Sequence, residues 1–152
     1  MGTRSTTTVL DEEGKPLLRI YQQYDGYIEG GVGEKLIRLL EGRRVVQGFT
    51  MDDKERRNFN GMSCLAAQLV SDLKDGIGNV YIQALDEDYE GSYDYTISCV
   101  SEPIISTWKR VKDYQRLHIV MKSYGEVVYD GLIDSYDRKL VVGLEWESGW
   151  VV

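Results

Sequence analysis

Residues 79–100 read NVYIQALDEDYEGSYDYTISCV and contain two runs in which apolar and polar side chains alternate. A period of two over about four to eight residues is typical of a half-buried strand. Between the two runs, residues 86–92 are polar and include Gly91, a composition that favours a turn. The stretch therefore predicts one long β-hairpin with an acidic tip.

The acidic residues of the chain are concentrated around this predicted hairpin. Residues 72–102 carry eight carboxylates and one basic residue, Lys74, and their net charge of −7 equals that of the whole chain. A concentrated negative field raises the encounter rate with a basic partner and imitates the charge of a nucleic-acid backbone. We expect the partner-binding surface to comprise Asp86, Glu87, Asp88, Tyr89, Glu90, Tyr93 and Asp94.

Length and composition predict a single domain covering residues 1–152. With 42% hydrophobic and 28% charged residues, the chain is ordinary for a globular protein and is not expected to be disordered. Cys64 and Cys99 lie within apolar patterns, which predicts buried thiols in a reducing compartment. Because no segment has the pattern of a membrane span or a secretory signal, we expect a cytoplasmic protein.

The patterns along the chain predict an α+β fold with a mainly antiparallel sheet. Residues 6–10 and 17–23 flank the turn sequence DEEGKP and predict an N-terminal hairpin. Apolar residues at helical spacing predict helices at about 34–41 and 62–74, packed on one face of the sheet. Further strands are expected at 117–122, 127–133, 140–146 and 150–152, while 43–60 and 103–114 fit more than one structure.

No motif predicts a metal or cofactor site. Several acids of the predicted hairpin follow the ligand spacing of an EF-hand calcium loop, but Ile97 replaces the glutamate that closes such a loop. The flanking runs also have the period of strands, whereas an EF-hand needs helices. His118 is the only histidine, and its position within a predicted strand favours a structural role.

Two stretches near the N-terminus resemble known proteins. The run Thr3-Arg4-Ser5-Thr6 after Gly2, followed by Tyr24-Asp25-Gly26-Tyr27, resembles a group of small uncharacterised proteins of tailed phages and some bacteria. Many of those proteins carry Cys-His-Trp where this chain has Gln22, Gln23 and Tyr24, so no chemistry based on that Cys or His is implied. The resemblance covers less than a third of the chain. It implies a viral or mobile-element accessory protein without implying an activity.

We therefore expect a phage-type accessory protein that binds rather than catalyses. Its partner would be a host protein with a basic surface, such as a nucleic-acid-processing or defence protein, met in the host cytoplasm through the acidic, tyrosine-bearing hairpin. Direct nucleic-acid binding is not expected from the net charge of −7, and a homo-oligomer is compatible with the sequence.

Two alternatives stay open at the level of sequence. The β-branched run that begins at Thr6 looks like the start of N-terminal-nucleophile hydrolases, in which a threonine freed at the N-terminus attacks the substrate. A second alternative is a protein that sequesters a small ligand or nucleotide, with tyrosines stacking on a base and arginines holding a phosphate.

Overall fold

The predicted N-terminal hairpin is confirmed. In the computed structural model, which describes residues 2–47, 57–87, 89–101 and 115–136, β1 (Ser5–Leu10) pairs antiparallel with β2 (Pro16–Gln22). β-Branched residues fill most of β1 and favour an extended backbone. In the turn, Oδ1 of Asp11 accepts hydrogen bonds from the N–H groups of Glu13 and Lys15, both at 2.9 Å. This side-chain turn sets the register of the hairpin.

The other strands of the described residues join the hairpin in one sheet. They are β3 (Val45–Val46), β4 (Phe59–Asn60), β5 (Val80–Gln83), β6 (Tyr93–Ser101), β7 (Gln115–Ser123) and β8 (Glu126–Leu132). The strand order is β4-β3-β7-β6-β1-β2-β5, and β8 lies beside β7. Two pairs, β1–β6 and β3–β4, are parallel, and the others are antiparallel. The mainly antiparallel sheet of the predicted α+β fold is therefore confirmed.

Two helices cover one face of this sheet, as the apolar spacing predicts. They are α1 (Val32–Leu40) and α2 (Met62–Leu73), and a short 3₁₀ turn follows β8 at Ile133–Ser135. The α2 stripe Met62, Leu65, Ala66, Leu69 and Leu73 is buried in the same core as the apolar residues of α1. At the start of α2, Oε1 of Glu12 accepts a 2.6 Å hydrogen bond from the Met62 N–H. A carboxylate there satisfies a free amide and is favoured by the helix dipole.

The two cysteines do not both lie in the core. Cys64 is exposed on α2, so the predicted buried thiol is wrong at this position, whereas Cys99 on β6 is half-buried. Cys64 is close in sequence to buried residues of α2 such as Met62 and Leu65, but it lies outside the buried stripe itself. Burial raises the pKa of the Cys99 thiol.

The predicted hairpin at residues 79–100 is wrong in its pairing, although both of its strands exist. β5 pairs with β2 at the edge of the sheet, while β6 lies between β1 and β7. From these pairings β5 runs parallel to β6 with two strands between them. Residues 84–92, which we call the crossover segment, must therefore span three interstrand spacings, or about 14 Å. The segment is also longer than the two to five residues that usual hairpin loops contain.

The sheet has one apolar face and one polar face. The register places Val9, Ile20, Tyr95, Ile97 and Ile119 together on the face that the helices cover, and all five are buried. The alternate residues point to the other face, where threonines and charged side chains predominate. The polar face is the floor of the candidate site described below.

The predicted strands at 140–146 and 150–152 and the segment 103–114 lie outside the described residues, as do residues 48–56. None of the helices in the described part of the chain has the length and apolarity needed to span a membrane.

Replacing Leu69 by alanine should test the position of α2. Leu69 is 1% exposed, so we expect Leu69→Ala to lower the free energy of unfolding by about 2–5 kcal/mol through lost burial and a residual cavity. Urea melts would measure the change. The matched control is Gln68→Ala, one residue earlier and exposed, which should change stability by less than about 0.5 kcal/mol. A similarly small loss for Leu69→Ala would contradict this packing.

Candidate functional site

The crossover segment lies over the polar face of the sheet, opposite the helices. Arg19 on β2 connects the two. Its Nε donates to the Thr8 hydroxyl at 3.2 Å, and its guanidinium donates to the Glu87 carbonyl oxygen at 2.7 Å. Thr8 and Arg19 are opposite each other in the β1–β2 register, so the hairpin presents both side chains on this face. Arg19 thus holds the middle of the crossover segment above the sheet.

Asp94 holds the end of the crossover segment. Its Oδ1 accepts hydrogen bonds from the Thr6 hydroxyl and, at 3.0 Å, from the Gly91 N–H. Gly91 is required by close approach, because a Cβ there would lie 2.9 Å from the Arg4 carbonyl oxygen and from the Ser5 Cα. The Ser92 carbonyl oxygen accepts a further hydrogen bond of 2.7 Å from the Tyr124 N–H in the β7–β8 turn. The segment is therefore irregular in conformation but well anchored.

A polar cavity of about 440 Å³ lies between the crossover segment and the sheet. Its strand residues include Thr6, Thr8 and Thr96, and its two basic residues are Arg19 and Lys122. Four carboxylates among the described residues also line it, namely Asp86, Glu87, Glu90 and Asp94. Its volume falls within the range of small-molecule pockets, but its lining is more polar than usual.

A second, shallower cleft of about 290 Å³ lies on the other side of Glu87 and Tyr89. The ring of Tyr21 is 6.1 Å from that of Tyr81 and 5.7 Å, edge to face, from that of Tyr89. Arg4 also lines the cleft, and a side-chain hydrogen bond with Tyr89 raises the pKa of Arg4. Because Tyr89 and Glu87 line both cavities, the two form one continuous region of the polar face.

The predicted partner-binding residues are divided by the structure into several roles. Asp86, Glu87 and Glu90 are exposed. Asp94 is half-buried and anchors the segment, and Asp88 lies outside the described residues. Tyr89 belongs with Tyr21 and Tyr81 to a group of rings that we call the tyrosine cluster. Of the predicted residues, five line the cavity although the hairpin does not form, namely Asp86, Glu87, Tyr89, Glu90 and Asp94.

Tyr93 is separated from this group. It shares the face of Tyr95, packs against the hydrophobic core, and its ring lies 5.7 Å from that of Tyr124. Tyr89 and Tyr93 are only four positions apart in the sequence. However, β6 begins at Tyr93 and directs the Tyr93 side chain to the face that the helices cover, away from Tyr89. Tyr93 therefore lies on the opposite side of the sheet from Tyr89.

The two N-terminal stretches that carry the resemblance, Thr3–Thr6 and Tyr24–Tyr27, meet at one end of the sheet. The Gly26 N–H donates to the Thr3 carbonyl oxygen at 2.9 Å, and the buried Tyr95 hydroxyl donates to the Gly26 carbonyl oxygen at 2.7 Å. A Cβ at Gly26 would lie 2.7 Å from the Ser5 Cβ. These backbone contacts hold the run at Thr3–Thr6 against the turn at Tyr24–Tyr27.

Part of these two stretches remains at the surface. Tyr24 and Tyr27 are exposed, and Asp25 has a positive φ of 57°, which an aspartate tolerates better than most residues. Tyr27 donates a 3.2 Å hydrogen bond from its hydroxyl to Asp25 Oδ1, and this bond raises the pKa of Tyr27. The two stretches therefore combine a structural junction with an exposed aromatic turn.

His118 has a structural environment, as its mid-strand position predicted. Its Nε2 lies 2.9 Å from Asp130 Oδ1 on β8, across the β7–β8 pair. No group of three or more His, Cys, Asp or Glu side chains in the described ranges is arranged to hold a metal ion.

Several residues of the site were missed by the sequence interpretation. Arg19, Tyr21, Tyr81 and Lys122 are not in acidic or glycine-rich stretches, so nothing in their local sequence marks them. What they share is their position in the alternation of each strand, which places all four on the polar face of the sheet. Alternation alone does not show which residues of different strands share a face, because that depends on which strands are neighbours.

Comparison of the chain with protein-family models, with curated proteins and with solved structures gives no match. The function must therefore be inferred from the geometry of the polar face.

Removing the Tyr95 hydroxyl should test the junction of the two N-terminal stretches. Tyr95→Phe leaves the Gly26 carbonyl oxygen without this buried donor, so we expect a loss of about 1–3 kcal/mol in the free energy of unfolding. Tyr124→Phe, at a tyrosine that is 74% exposed, is the matched control and should be nearly neutral. Equal melting of the two variants would show that the junction does not depend on this hydrogen bond.

Proposed function

We propose that this chain is a non-enzymatic binding protein that docks a basic protein partner through its crossover segment. Asp86, Glu87 and Glu90 are exposed on a segment that Arg19 and Asp94 hold in place. This combination of exposed charge and fixed backbone is the observation that carries the proposal. A negative field steers a basic partner, and a segment that is already ordered loses little conformational entropy on binding.

The tyrosine cluster supports the same proposal. Tyr21, Tyr81 and Tyr89 lie beside the carboxylates, and Tyr81 is 47% exposed. Tyrosines provide a large, rigid and partly polar contact area at little entropic cost, which suits them to protein interfaces. In this proposal the carboxylates set the association rate and the tyrosines supply contact area.

The partner class follows from the sign of the charge. A basic groove that normally holds nucleic acid would be attracted by this segment, so we propose a host nucleic-acid-processing or defence protein in the host cytoplasm. The resemblance of Thr3–Thr6 and Tyr24–Tyr27 to phage and bacterial accessory proteins supports that setting.

Sequestration of a small ligand is a second candidate function. The two adjoining cavities, of about 440 and 290 Å³, favour it, because they place carboxylates, threonines and tyrosine rings around a shared wall. The hydrolase alternative has less support. Thr6 is 5% exposed within β1, its hydroxyl is bound to Asp94, and cleavage before it would remove the Arg4 carbonyl oxygen that accepts from Tyr93.

Neutralising the exposed acids should slow association with the partner. For the triple variant Asp86→Asn, Glu87→Gln and Glu90→Gln we expect a roughly tenfold or greater decrease in association rate at low salt. Stability should change little, because these charges are exposed. Capture of the partner from host lysate at low and at high salt, followed by association kinetics with the captured protein, would measure both effects.

The matched control changes three exposed carboxylates outside the crossover segment, Glu13→Gln, Glu41→Gln and Glu126→Gln. It alters the net charge equally, so a localised docking surface predicts that it retains most of the association rate. An equal decrease for both variants, or no decrease for the first, would contradict docking through the crossover segment.

A further inference from the structure

The polar face contains two buried hydrogen-bond acceptors that have no donor among the described residues. Asp94 uses Oδ1 for the Thr6 hydroxyl and the Gly91 N–H, but its Oδ2 is buried without a partner. Gln83 Oε1, at the neighbouring cleft, is buried in the same way. An unsatisfied buried acceptor is costly, so both atoms favour a ligand that donates hydrogen bonds.

The charges of the larger cavity favour a cationic ligand. Its four described carboxylates face two basic residues, Arg19 and Lys122. Arg19 already donates to Thr8 and to the Glu87 carbonyl oxygen, so it acts as part of the wall. The cavity therefore has an excess of acceptors and of negative charge.

Resting on the proposed docking function, we propose that this cavity receives an arginine side chain of the protein partner. A guanidinium group is a pure donor with five N–H groups in a planar fork, and it suits a site with a carboxylate in its wall. Tyr89 lines both cavities, and an aromatic ring beside a bound guanidinium favours it through a cation–π interaction. The volume of about 440 Å³ leaves room for the side chain together with part of its backbone.

Lys122 provides a second test of the proposal, with an expected effect opposite in sign to that of Asp94. It lies directly across from Asp94 in the β6–β7 register and lines the same cavity. Its ammonium group repels an incoming guanidinium, whereas it would attract an anion. Asp94 and Lys122 variants should therefore change the affinity for a cation in opposite directions.

The experiment is an NMR titration of the full chain with a blocked Gly-Gly-Arg-Gly-Gly peptide. We expect saturable shifts at the amides of Thr6, Asp94 and Lys122. Asp94→Asn should weaken the Kd at least about tenfold, because the amide keeps an acceptor for Thr6 but loses the charge. Lys122→Met should strengthen the Kd by roughly threefold or more.

Three controls make the result specific. Glu126→Gln removes one exposed carboxylate outside the cavity and should leave the Kd unchanged. The same peptide with citrulline in place of arginine should not bind, because the ureido group is neutral. Propylguanidine, a free guanidinium cation, should bind more weakly than the peptide, since it lacks the flanking backbone.

Each opposite result would overturn the inference. These results are the absence of peptide binding, an unchanged Kd for Asp94→Asn, a weaker Kd for Lys122→Met, or equal binding of the citrulline peptide. Equal affinity for propylguanidine would assign the cavity to a free guanidinium ligand instead of a partner side chain. If Lys122 satisfies Asp94 in solution, Lys122→Met would lower the melting temperature and would not strengthen binding.

The inference and the docking function can fail separately. If the Asp94 and Lys122 variants leave the Kd of the peptide unchanged while the triple variant of the crossover segment still slows partner association, the cavity assignment is wrong and the docking surface stands. If the triple variant and its control associate equally fast, the docking proposal fails regardless of the peptide result.

Discussion

The parallel pairing of β1 with β6 is the constraint on which the rest of the structure depends. An antiparallel partner could have followed β5 through a short turn, but a parallel one requires the chain to cross β2 and β1 before it pairs. Because the helices occupy the apolar face, the crossing lies on the polar one. The cavity, its acidic lining and the tyrosine cleft all result from this crossing. Arg19 and Asp94 then supply the hydrogen bonds that an irregular backbone over a sheet needs.

Elements that depend on near neighbours in the sequence were predictable. The stripe of α2, the Asp11 turn and the β7–β8 pair at Tyr124-Gly125 each follow from local spacing and turn chemistry, and each occurs within two residues of its expected position. The pairing of residues 79–100 was not predictable in this way. Alternation identifies a strand and its two faces, but it does not identify the neighbour. Ile82 shows the consequence, because at the edge of the described sheet it is 60% exposed although its run alternates like that of a half-buried strand.

In the candidate site, too, the features set by neighbouring residues were predictable and those set by distant residues were not. The sequence shows the acids of residues 86–94 as a charge cluster, but it does not show that Glu87 and Glu90 are exposed while Asp94 anchors the segment. The role of Asp94 depends on its hydrogen bond with the Thr6 hydroxyl, which is distant in sequence. The two N-terminal stretches that carry the resemblance also depend on residues that are distant in sequence. Thr3–Thr6 and Tyr24–Tyr27 are separated by a hairpin, and the Tyr95 hydroxyl joins them from a third strand. The contacts between these stretches are backbone contacts, so they account for part of the fold and specify no reaction.

Among the described strands, the edge strand β5 is an alternative to the proposed docking surface on the polar face. β5 is an edge strand with exposed Ile82, and it is flanked by exposed Ile77 and Leu85, a composition that invites pairing with another strand. Lys74 opposes this pairing, because its ammonium group donates to the carbonyl oxygens of Gly78 and Val80, at 2.9 and 3.0 Å. Those acceptors are then occupied, and a positive charge stands 5.6 Å from the Tyr81 ring. A partner that approaches β5 therefore meets an edge whose first acceptors are filled, whereas one that approaches the crossover segment meets exposed carboxylates and tyrosine rings that are already in position.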